Sequence, residues 1–250
     1  MYDRINVASK TKKILDSAFD EPISVDDGNY LMNLKGSEIY PLLATADAVR
    51  EEIVGDKVTF INNCNINFTN ICHVRCGFCA FGKDPDDPDA YLLDDEGILN
   101  KAEGGYRDGA REFTLMGGVL EDATVEYYEH LLKLLKSHYP DVEIHGFSPT
   151  MIRDAALNSE MPVDEAFKVL KKAGLGTLPG TAAEILTDRS REIICPKKVS
   201  TQEWIDVIKT AHEAGITGSA TMMYGHVETM EERVEHLDIL RQIQLETGGF

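Results

Sequence analysis

A repeated unit constrains the fold of this chain more than any other feature. Apolar segments that begin near residues 112, 143, 175 and 216 each follow a helical stretch, which in three of the four copies ends at a glycine. The segments start about 30–40 residues apart, the spacing of strand–helix units. Alternating strands and helices build a parallel sheet. The pattern therefore predicts an α/β fold, and the unit count favours a TIM-like (β/α) barrel over a doubly wound sheet.

The two ends of the chain extend this organisation. Residues 58–68 mix β-branched and aromatic side chains and predict a strand ahead of the other four, while 248–250 predict the start of a sixth. Because a barrel of this type has eight strands, we expect its C-terminal part to lie beyond Phe250. The first 57 residues show no period-2 pattern. We therefore predict two domains, an N-terminal helical segment over 1–57 and a barrel over 58–250.

Local signals mark where several helices begin. Thr124 precedes a stretch of apolar residues at helical spacing. Ser200 with Glu203, and Thr229 with Glu232, have the spacing of a capping box, in which two side chains satisfy free backbone N–H groups. These signals predict helix starts near 125, 201 and 230.

The charge of the chain limits its partners. Forty-three acidic residues against 25 basic ones give a net charge of −18. Nucleic acid is an unsuitable partner, because phosphate binding needs a basic surface. No apolar run reaches the roughly 18 residues of a membrane span, and the N-terminus lacks the basic and apolar regions of a secretory signal. We therefore expect a cytoplasmic protein without a membrane partner.

The cysteines are the most informative residues for function. Three of the five form the spacing C-x3-C-x2-C at Cys72, Cys76 and Cys79, in a segment that follows the first predicted strand. Three thiolates on one loop can hold three irons of a cubane cluster and leave the fourth iron open to another ligand. The remaining two, Cys64 and Cys195, are expected to be buried apolar residues.

Two other uses of the cysteine loop remain open from the residues alone. A structural zinc site needs four ligands, and His73 lies too close in the chain to complete a tetrahedron comfortably. An ordinary electron-transfer cluster usually has protein ligands on every iron, and no fourth cysteine has suitable spacing.

The C-x3-C-x2-C loop after the first strand of a barrel resembles the radical S-adenosylmethionine (SAM) superfamily. The resemblance implies a 4Fe-4S cluster whose open iron chelates the amino and carboxylate groups of SAM, and cleavage of SAM to a 5′-deoxyadenosyl radical. It places Phe78 close to the adenine. It also implies that the segment after the second strand, Met116-Gly117-Gly118, contacts the SAM amino group.

Further motifs resemble one subgroup, which contains the enzymes of deazaflavin synthesis and those of the futalosine route to menaquinone. They are 65–70, 78–81, 145–149, 178–186, 194–196 and 221–228. Within the subgroup, Pro179-Gly-Thr-Ala-Ala-Glu184 is similar to the tyrosine-cleaving subunit of the FO (deazaflavin) synthase family. A futalosine-route enzyme usually has an extra glycine where Thr181 stands.

The resemblance to that FO synthase family implies a transferase that acts on L-tyrosine and 5-amino-6-(D-ribitylamino)uracil. The radical abstracts hydrogen from the tyrosine amine, the Cα–Cβ bond breaks to leave 2-iminoacetate, and the 4-hydroxybenzyl radical adds to C5 of the uracil. A second radical SAM subunit of FO synthase then closes the deazaflavin ring. The cluster also needs a reductant such as ferredoxin or flavodoxin.

The strand pattern adds candidate residues at the active edge of such a barrel, where strands end. Ser148 and Thr181 are candidates for cofactor binding, and Glu184, Tyr224 and His226 are candidates for catalysis. Glu184 would accept hydrogen bonds from the SAM ribose or the uracil. We expect Arg191, or its neighbour Arg189, to pair with a substrate carboxylate, because a guanidinium matches a carboxylate bidentately.

Two other functions remain open at this point. A cyclising enzyme of the futalosine route would act on a modified futalosine. A non-catalytic iron–sulfur electron carrier would bind no substrate, and cleavage of SAM separates it from both enzymes.

Overall fold

The computed structural model describes residues 7–250 and divides the chain into two compact units. The first consists of Met1–Phe60, of which 7–60 are described, together with Glu228–Asp238. The second consists of Ile61–Val227 and Ile239–Phe250. The boundary between the units therefore follows residue 60, three residues later than the boundary expected from sequence. Residues 228–238, which were expected in the barrel, belong to the first unit.

The described part of the first unit is helical over most of residues 9–54, as predicted. Its helices are α1 (Ser9–Ser17), α2 (Val25–Met32) and α3 (Ile39–Val54), with a 3-10 turn at Gly36–Glu38. Ser24 caps α2 by accepting a hydrogen bond from the Asp27 N–H at 3.1 Å. Ile14, Leu15 and Leu31 form a small core.

A five-stranded parallel sheet organises the second unit. The strands are β1 (Asn63–Asn67), β2 (Glu112–Met116), β3 (Glu143–Gly146), β4 (Thr177–Leu178) and β5 (Thr217–Gly218). They lie side by side in chain order, and all neighbours are parallel. This order confirms the predicted α/β class and is the arrangement of a partial TIM-like barrel.

Helices alternate with these strands. They are α4 (Asp95–Arg107), α5 (Val125–His138), α6 (Pro149–Asn158), α7 (Val163–Ala173), α8 (Asp188–Ile194), α9 (Thr201–Glu213) and α10 (Met230–Thr247), the last with residues in both units. The three predicted helix starts are confirmed: Thr124 accepts from the Tyr127 N–H at 3.4 Å, and both capping boxes form. None of the helices in residues 7–250 is long and apolar enough to span a membrane.

The core of the second unit reaches the edge of the sheet where the site lies. Ile66, Phe113 and Leu115 on the first two strands are fully buried. Phe68 follows β1 and Phe147 follows β3, and their ring centres are 6.4 Å apart in an edge-to-face arrangement. Both rings are fully buried, so the core continues one residue past the ends of these strands.

The first predicted strand is shorter than expected. Pairing with β2 begins at Asn63, opposite Glu112, and residues 58–62 continue outside the ladder. Val58 and Phe60 are 88% and 93% exposed. The prediction was wrong here because β-branched and aromatic residues favour a strand only where a neighbouring strand can pair with them.

The last strands are also shorter than predicted. β5 stops at Gly218, although the apolar run continues to Met223. Thr221 leaves the strand direction and bonds Gly180 O through both its N–H and its hydroxyl, at 3.2 and 2.7 Å. The expected sixth strand is represented by one ladder-like bond, from Gly218 N–H to Gly249 O at 3.0 Å.

Candidate functional site

Five loops leave the sheet at one edge, because parallel strands all end on the same side. The loop after β1 carries the cysteines, and the loop after β2 carries Gly117-Gly118. The loop after β4 carries Thr181 and Glu184, and the loop after β5 carries Tyr224 and His226. The fold therefore collects the motifs predicted from sequence along this edge.

Backbone hydrogen bonds to three separate segments hold the cysteine loop. The Cys72 N–H donates to Lys83 O at 3.2 Å, and the His73 N–H donates to Val119 O at 3.0 Å. The Gly77 N–H donates to Ile194 O at 2.8 Å, at the end of α8. The protein's own backbone thus holds the loop at the first cysteine and again just after the second.

The three thiols of the loop differ in environment. Cys76 is 9% exposed, Cys72 is half-buried and Cys79 is exposed. Burial raises the pKa of the Cys76 thiol to about 11, against the opposing charge of Lys198. Metal coordination deprotonates a thiol outright, so binding of an iron cluster would reverse this shift.

The donor set fits an iron–sulfur cluster. Within residues 7–250, no three His, Cys, Asp or Glu side chains converge as the ligands of one metal ion do. A cubane cluster does not require such convergence, since each cysteine binds a different iron. His73 does not complete a ligand set with the cysteines, because its Nε2 lies 3.2 Å from Asp154 Oδ2 on α6.

Gly118 packs directly against the cysteine loop. A Cβ at this position would lie 2.0 Å from Ile71 O and 2.8 Å from Cys72 Cβ. The Gly118 N–H also donates to Thr69 O at 2.9 Å. Gly117 is less crowded, with a closest approach of 3.1 Å to Phe68 and Thr69 side chains. The absence of side chains at this glycine pair therefore lets the chain after β2 pack closely against the cysteine loop and the residues just before it. The predicted contacts of Met116, Gly117 and Gly118 with SAM stay predictions.

The loop after β4 is held in an unusual backbone conformation. Ala182 and Glu184 have φ of 67° and 43°, in the left-handed region that non-glycine residues seldom adopt. The Glu184 side chain accepts a hydrogen bond from the Ala182 N–H at 3.2 Å. The Thr181 hydroxyl oxygen is buried and has no hydrogen-bond partner within the described chain. Such strain and an unpaired polar atom are typical of binding sites.

Glu184 forms an ion pair with Lys198, whose Nζ lies 5.4 Å from the centre of the Phe78 ring. Both charged side chains are nearly buried, with 12% and 13% exposed. Burial tends to lower the pKa of Lys198, but Glu184 and the thiols of Cys76 and Cys195 outweigh it and the pKa is raised. The predicted adenine neighbour, Phe78, is itself 43% exposed.

Arg191 occupies a different place from the one predicted. It is 3% exposed, and its Nη1 donates to the carbonyl oxygens of Ala182, Ala183 and Ile185 at 2.8–3.3 Å. Its Nε donates to Val199 O at 3.1 Å. The guanidinium therefore clamps the loop after β4 and does not present its fork to a substrate carboxylate. Sequence pattern alone does not distinguish an arginine that binds a substrate carboxylate from one that binds backbone carbonyl oxygens, because the guanidinium N–H groups are the donors in both cases.

The other predicted residues are distributed along the edge. Ser148 is 6% exposed and caps α6 by accepting from the Met151 N–H at 3.3 Å. Tyr224 is 66% exposed, and His226 Nε2 lies 3.0 Å from Met223 O. Their parts in cofactor binding or catalysis stay predictions.

The two cysteines outside the loop differ from each other. Cys195 is 1% exposed, as predicted, and lies at the end of α8 next to the residue that bonds Gly77. Cys64 is only half-buried, so the expectation of burial was wrong for it. It lies on β1 against Gly105 of α4, where a Cβ would come within 2.4 Å of the Cys64 Cβ.

A cavity of about 480 Å³ lies beside the cysteine loop and is lined in part by Ile71, Cys72, Leu120 and Tyr127. The Tyr127 hydroxyl is buried without a hydrogen-bond partner among the described residues, and burial raises its pKa to about 12. Sequence reasoning missed this cavity and also Lys198. Lys198 belongs to no predicted motif, and the cavity forms where the cysteine loop meets segments that are distant from it in the chain.

The chain matches one protein-family model and several named proteins. The family model of the radical SAM superfamily matches residues 66–240. A 5-amino-6-(D-ribitylamino)uracil–L-tyrosine 4-hydroxyphenyl transferase of Methanothermobacter thermautotrophicus is 51% identical over 98% of this chain. Proteins of the same name from Methanococcus maripaludis and Methanococcoides burtonii are 46% and 45% identical, over 84% and 95% of the chain. The chain spans 60–67% of the length of these relatives.

Solved structures with low sequence identity share the fold. HydG, a maturase of the FeFe-hydrogenase, superposes with a TM-score of 0.74 at 18% identity, over 96% of this chain and 52% of its own. Methylornithine synthase superposes with a TM-score of 0.68 at 18% identity, over 94% of this chain and 65% of its own. At this identity the likeness concerns the fold.

Proposed function

Because the chain belongs to the radical SAM superfamily, we propose that Cys72, Cys76 and Cys79 hold a 4Fe-4S cluster whose open iron binds SAM. When bound, this pair supplies a 5′-deoxyadenosyl radical. The loop around the cysteines is tied by backbone bonds at Cys72, His73 and Gly77. These bonds reduce the ordering that cluster binding requires, and the buried position of Cys76 keeps water from one side of the site.

We propose that the protein transfers the 4-hydroxybenzyl group of L-tyrosine to 5-amino-6-(D-ribitylamino)uracil. The observation that carries this proposal is the 51% identity, over 98% of the chain, to a protein named as the corresponding 4-hydroxyphenyl transferase. The proposal concerns the whole protein, since the chain spans only part of the length of these relatives. A second radical SAM subunit would use the product, and a one-electron reductant would reduce the cluster.

The candidate residues at the strand ends have different proposed roles. Phe78 offers a ring face to the adenine of SAM, and the unpaired Thr181 hydroxyl offers a hydrogen bond to a polar group of SAM or substrate. Tyr224 and His226 lie on the loop after β5, where side chains meet the substrate in barrels of this type. Arg191 holds the loop that carries Thr181 and Glu184.

An anaerobic assay tests the substrate assignment. With SAM and a chemical reductant, formation of 5′-deoxyadenosine should rise when tyrosine and the diaminouracil are added together, and a hydroxybenzylated uracil should form. Dehypoxanthine futalosine serves as the comparison substrate. Turnover of the futalosine, with none of tyrosine, would assign the protein to the menaquinone route; absence of SAM cleavage under every condition would favour an electron carrier.

The cluster ligands have their own test. Cys76→Ala should lose the iron and the broad absorption of the reconstituted protein. Cys195→Ala is the matched control, because Cys195 is also buried but lies outside the loop, and it should retain both. Equal loss of iron in the two variants would overturn the ligand assignment.

A further inference from the structure

A buried ammonium group lies beside the cysteine loop. Lys198 belongs to the irregular segment between α8 and α9, and its side chain is 13% exposed. Lysine is seldom buried unless it is paired, and here the partner is Glu184. The Lys198 Nζ lies 5.4 Å from the centre of the Phe78 ring, and Phe78 stands between Cys76 and Cys79 in the cysteine loop. The segment therefore brings one positive charge close to the proposed cluster ligands.

The position of this charge is fixed through the backbone. The Lys198 N–H donates to Cys195 O at 3.0 Å, which closes a turn at the end of α8. One residue earlier, Ile194 O accepts the Gly77 N–H of the cysteine loop at 2.8 Å. The turn that carries the ammonium is therefore bonded through the backbone to the loop that carries the thiols.

The carboxylate that orients the ammonium is fixed as well. Glu184 has a φ of 43°, and strained backbone of this kind persists only where the surroundings hold it. Arg191 supplies that hold by bonding the carbonyl oxygens of Ala182, Ala183 and Ile185. Lys198 is thus oriented from one side by a preorganised carboxylate and attached on the other to the cysteine loop.

We propose that Lys198 is a positioning residue whose buried ammonium, oriented by Glu184, supplies a fixed positive charge beside Cys76 and favours the reduced state of the cluster. This inference rests on the cluster of the proposed function. Addition of one electron makes the cluster more negative, and a nearby cation away from water opposes that cost more strongly than a solvated one. Glu184 and the net charge of −18 on the whole chain act in the opposite direction.

The test is the midpoint potential of the reconstituted protein, measured without SAM by titration with dithionite and electron paramagnetic resonance. Lys198→Met removes the charge and retains an unbranched side chain. We expect its equilibrium constant for one-electron reduction to fall about tenfold, equivalent to a shift of about −59 mV. Lys198→Arg retains the charge and should keep the potential of the parent protein.

Lys197→Met is the matched control. Lys197 is adjacent in sequence, and its Nζ donates to His73 O at 3.3 Å, but its side chain is exposed to water. Its removal changes the net charge equally and should leave the potential unchanged, because solvent screens an exposed charge. If Lys198→Met binds no cluster, Lys198→Gln takes its place with the same expected shift, because its neutral amide still donates a hydrogen bond to the nearly buried Glu184.

Three outcomes would overturn the inference: an unshifted potential in Lys198→Met, equal shifts in Lys198→Met and Lys197→Met, or a Lys198→Arg protein as defective as Lys198→Met. A parent protein that binds no cluster would defeat the proposed function and this inference together. A parent protein with a cluster and any of the three outcomes would defeat this inference alone.

Discussion

Replacing Gly118 by alanine tests whether the glycine after β2 seats the cysteine loop. The added Cβ would lie 2.0 Å from Ile71 O, 2.7 Å from Ile71 C and 2.8 Å from Cys72 Cβ. Two of these three atoms are backbone, which cannot rotate away as a side chain does. Overpacking costs about 1–3 kcal/mol, and the backbone contacts place this substitution near the upper limit.

The expected effect is large enough for thermal unfolding to resolve. A loss of about 3 kcal/mol corresponds to a fall in Tm of roughly 6–12 °C for a chain of this size. The displaced residues include Cys72, so iron bound per chain after anaerobic reconstitution should fall as well. Both measurements use the same protein preparation, with iron determined before and after gel filtration.

Gly104→Ala is the matched control. Gly104 lies within α4, and a Cβ there would have nothing within 4 Å. The same substitution should therefore stabilise the protein, by about 0.5–1 kcal/mol, because alanine loses less conformational entropy in a helix. A Gly118→Ala protein with unchanged Tm and full iron content would refute the idea that this glycine seats the loop.

Two further substitutions test other parts of the site. Arg191→Met should lower the free energy of unfolding, measured in guanidinium titrations, by roughly 3 kcal/mol, because it leaves buried carbonyl oxygens without donors. A loss no larger than that of a surface substitution would show that the Arg191 contacts are not needed for stability. Burial lowers the pKa of His145, whose Nδ1 lies 2.7 Å from Thr177 Oγ1. The unfolded chain therefore takes up the proton first, and stability should fall as the pH drops through the ordinary value of 6.5. His145→Asn should make urea midpoints less dependent on pH in this range, and an unchanged dependence would contradict the assignment.

The sequence predicted the features that rest on local pattern. Periodicity and capping residues located the starts of α5, α9 and α10, and the spacing of Cys72, Cys76 and Cys79 indicated the cysteine loop. Strand lengths were overestimated at both ends of the sheet, because pairing depends on neighbours that a local pattern does not contain. The contacts of Arg191 and Lys198 also escaped prediction. Each joins segments that only the folded chain brings together, and a buried guanidinium or ammonium has no sequence signature of its own.

The short last strands separate the scaffold from the mouth of the site. β4 and β5 share a ladder of only two residue pairs, and beyond it Thr221 and Met223 bond the loop after β4, at Gly180 O and Glu184 O. Tyr224 and His226, which we propose to meet the substrate, therefore lie outside the sheet that stabilises the unit. Substitutions there can alter which molecule is accepted at little cost to folding. A single scaffold can in this way serve several chemistries, with selectivity free to change while the sheet and the cysteine loop stay the same.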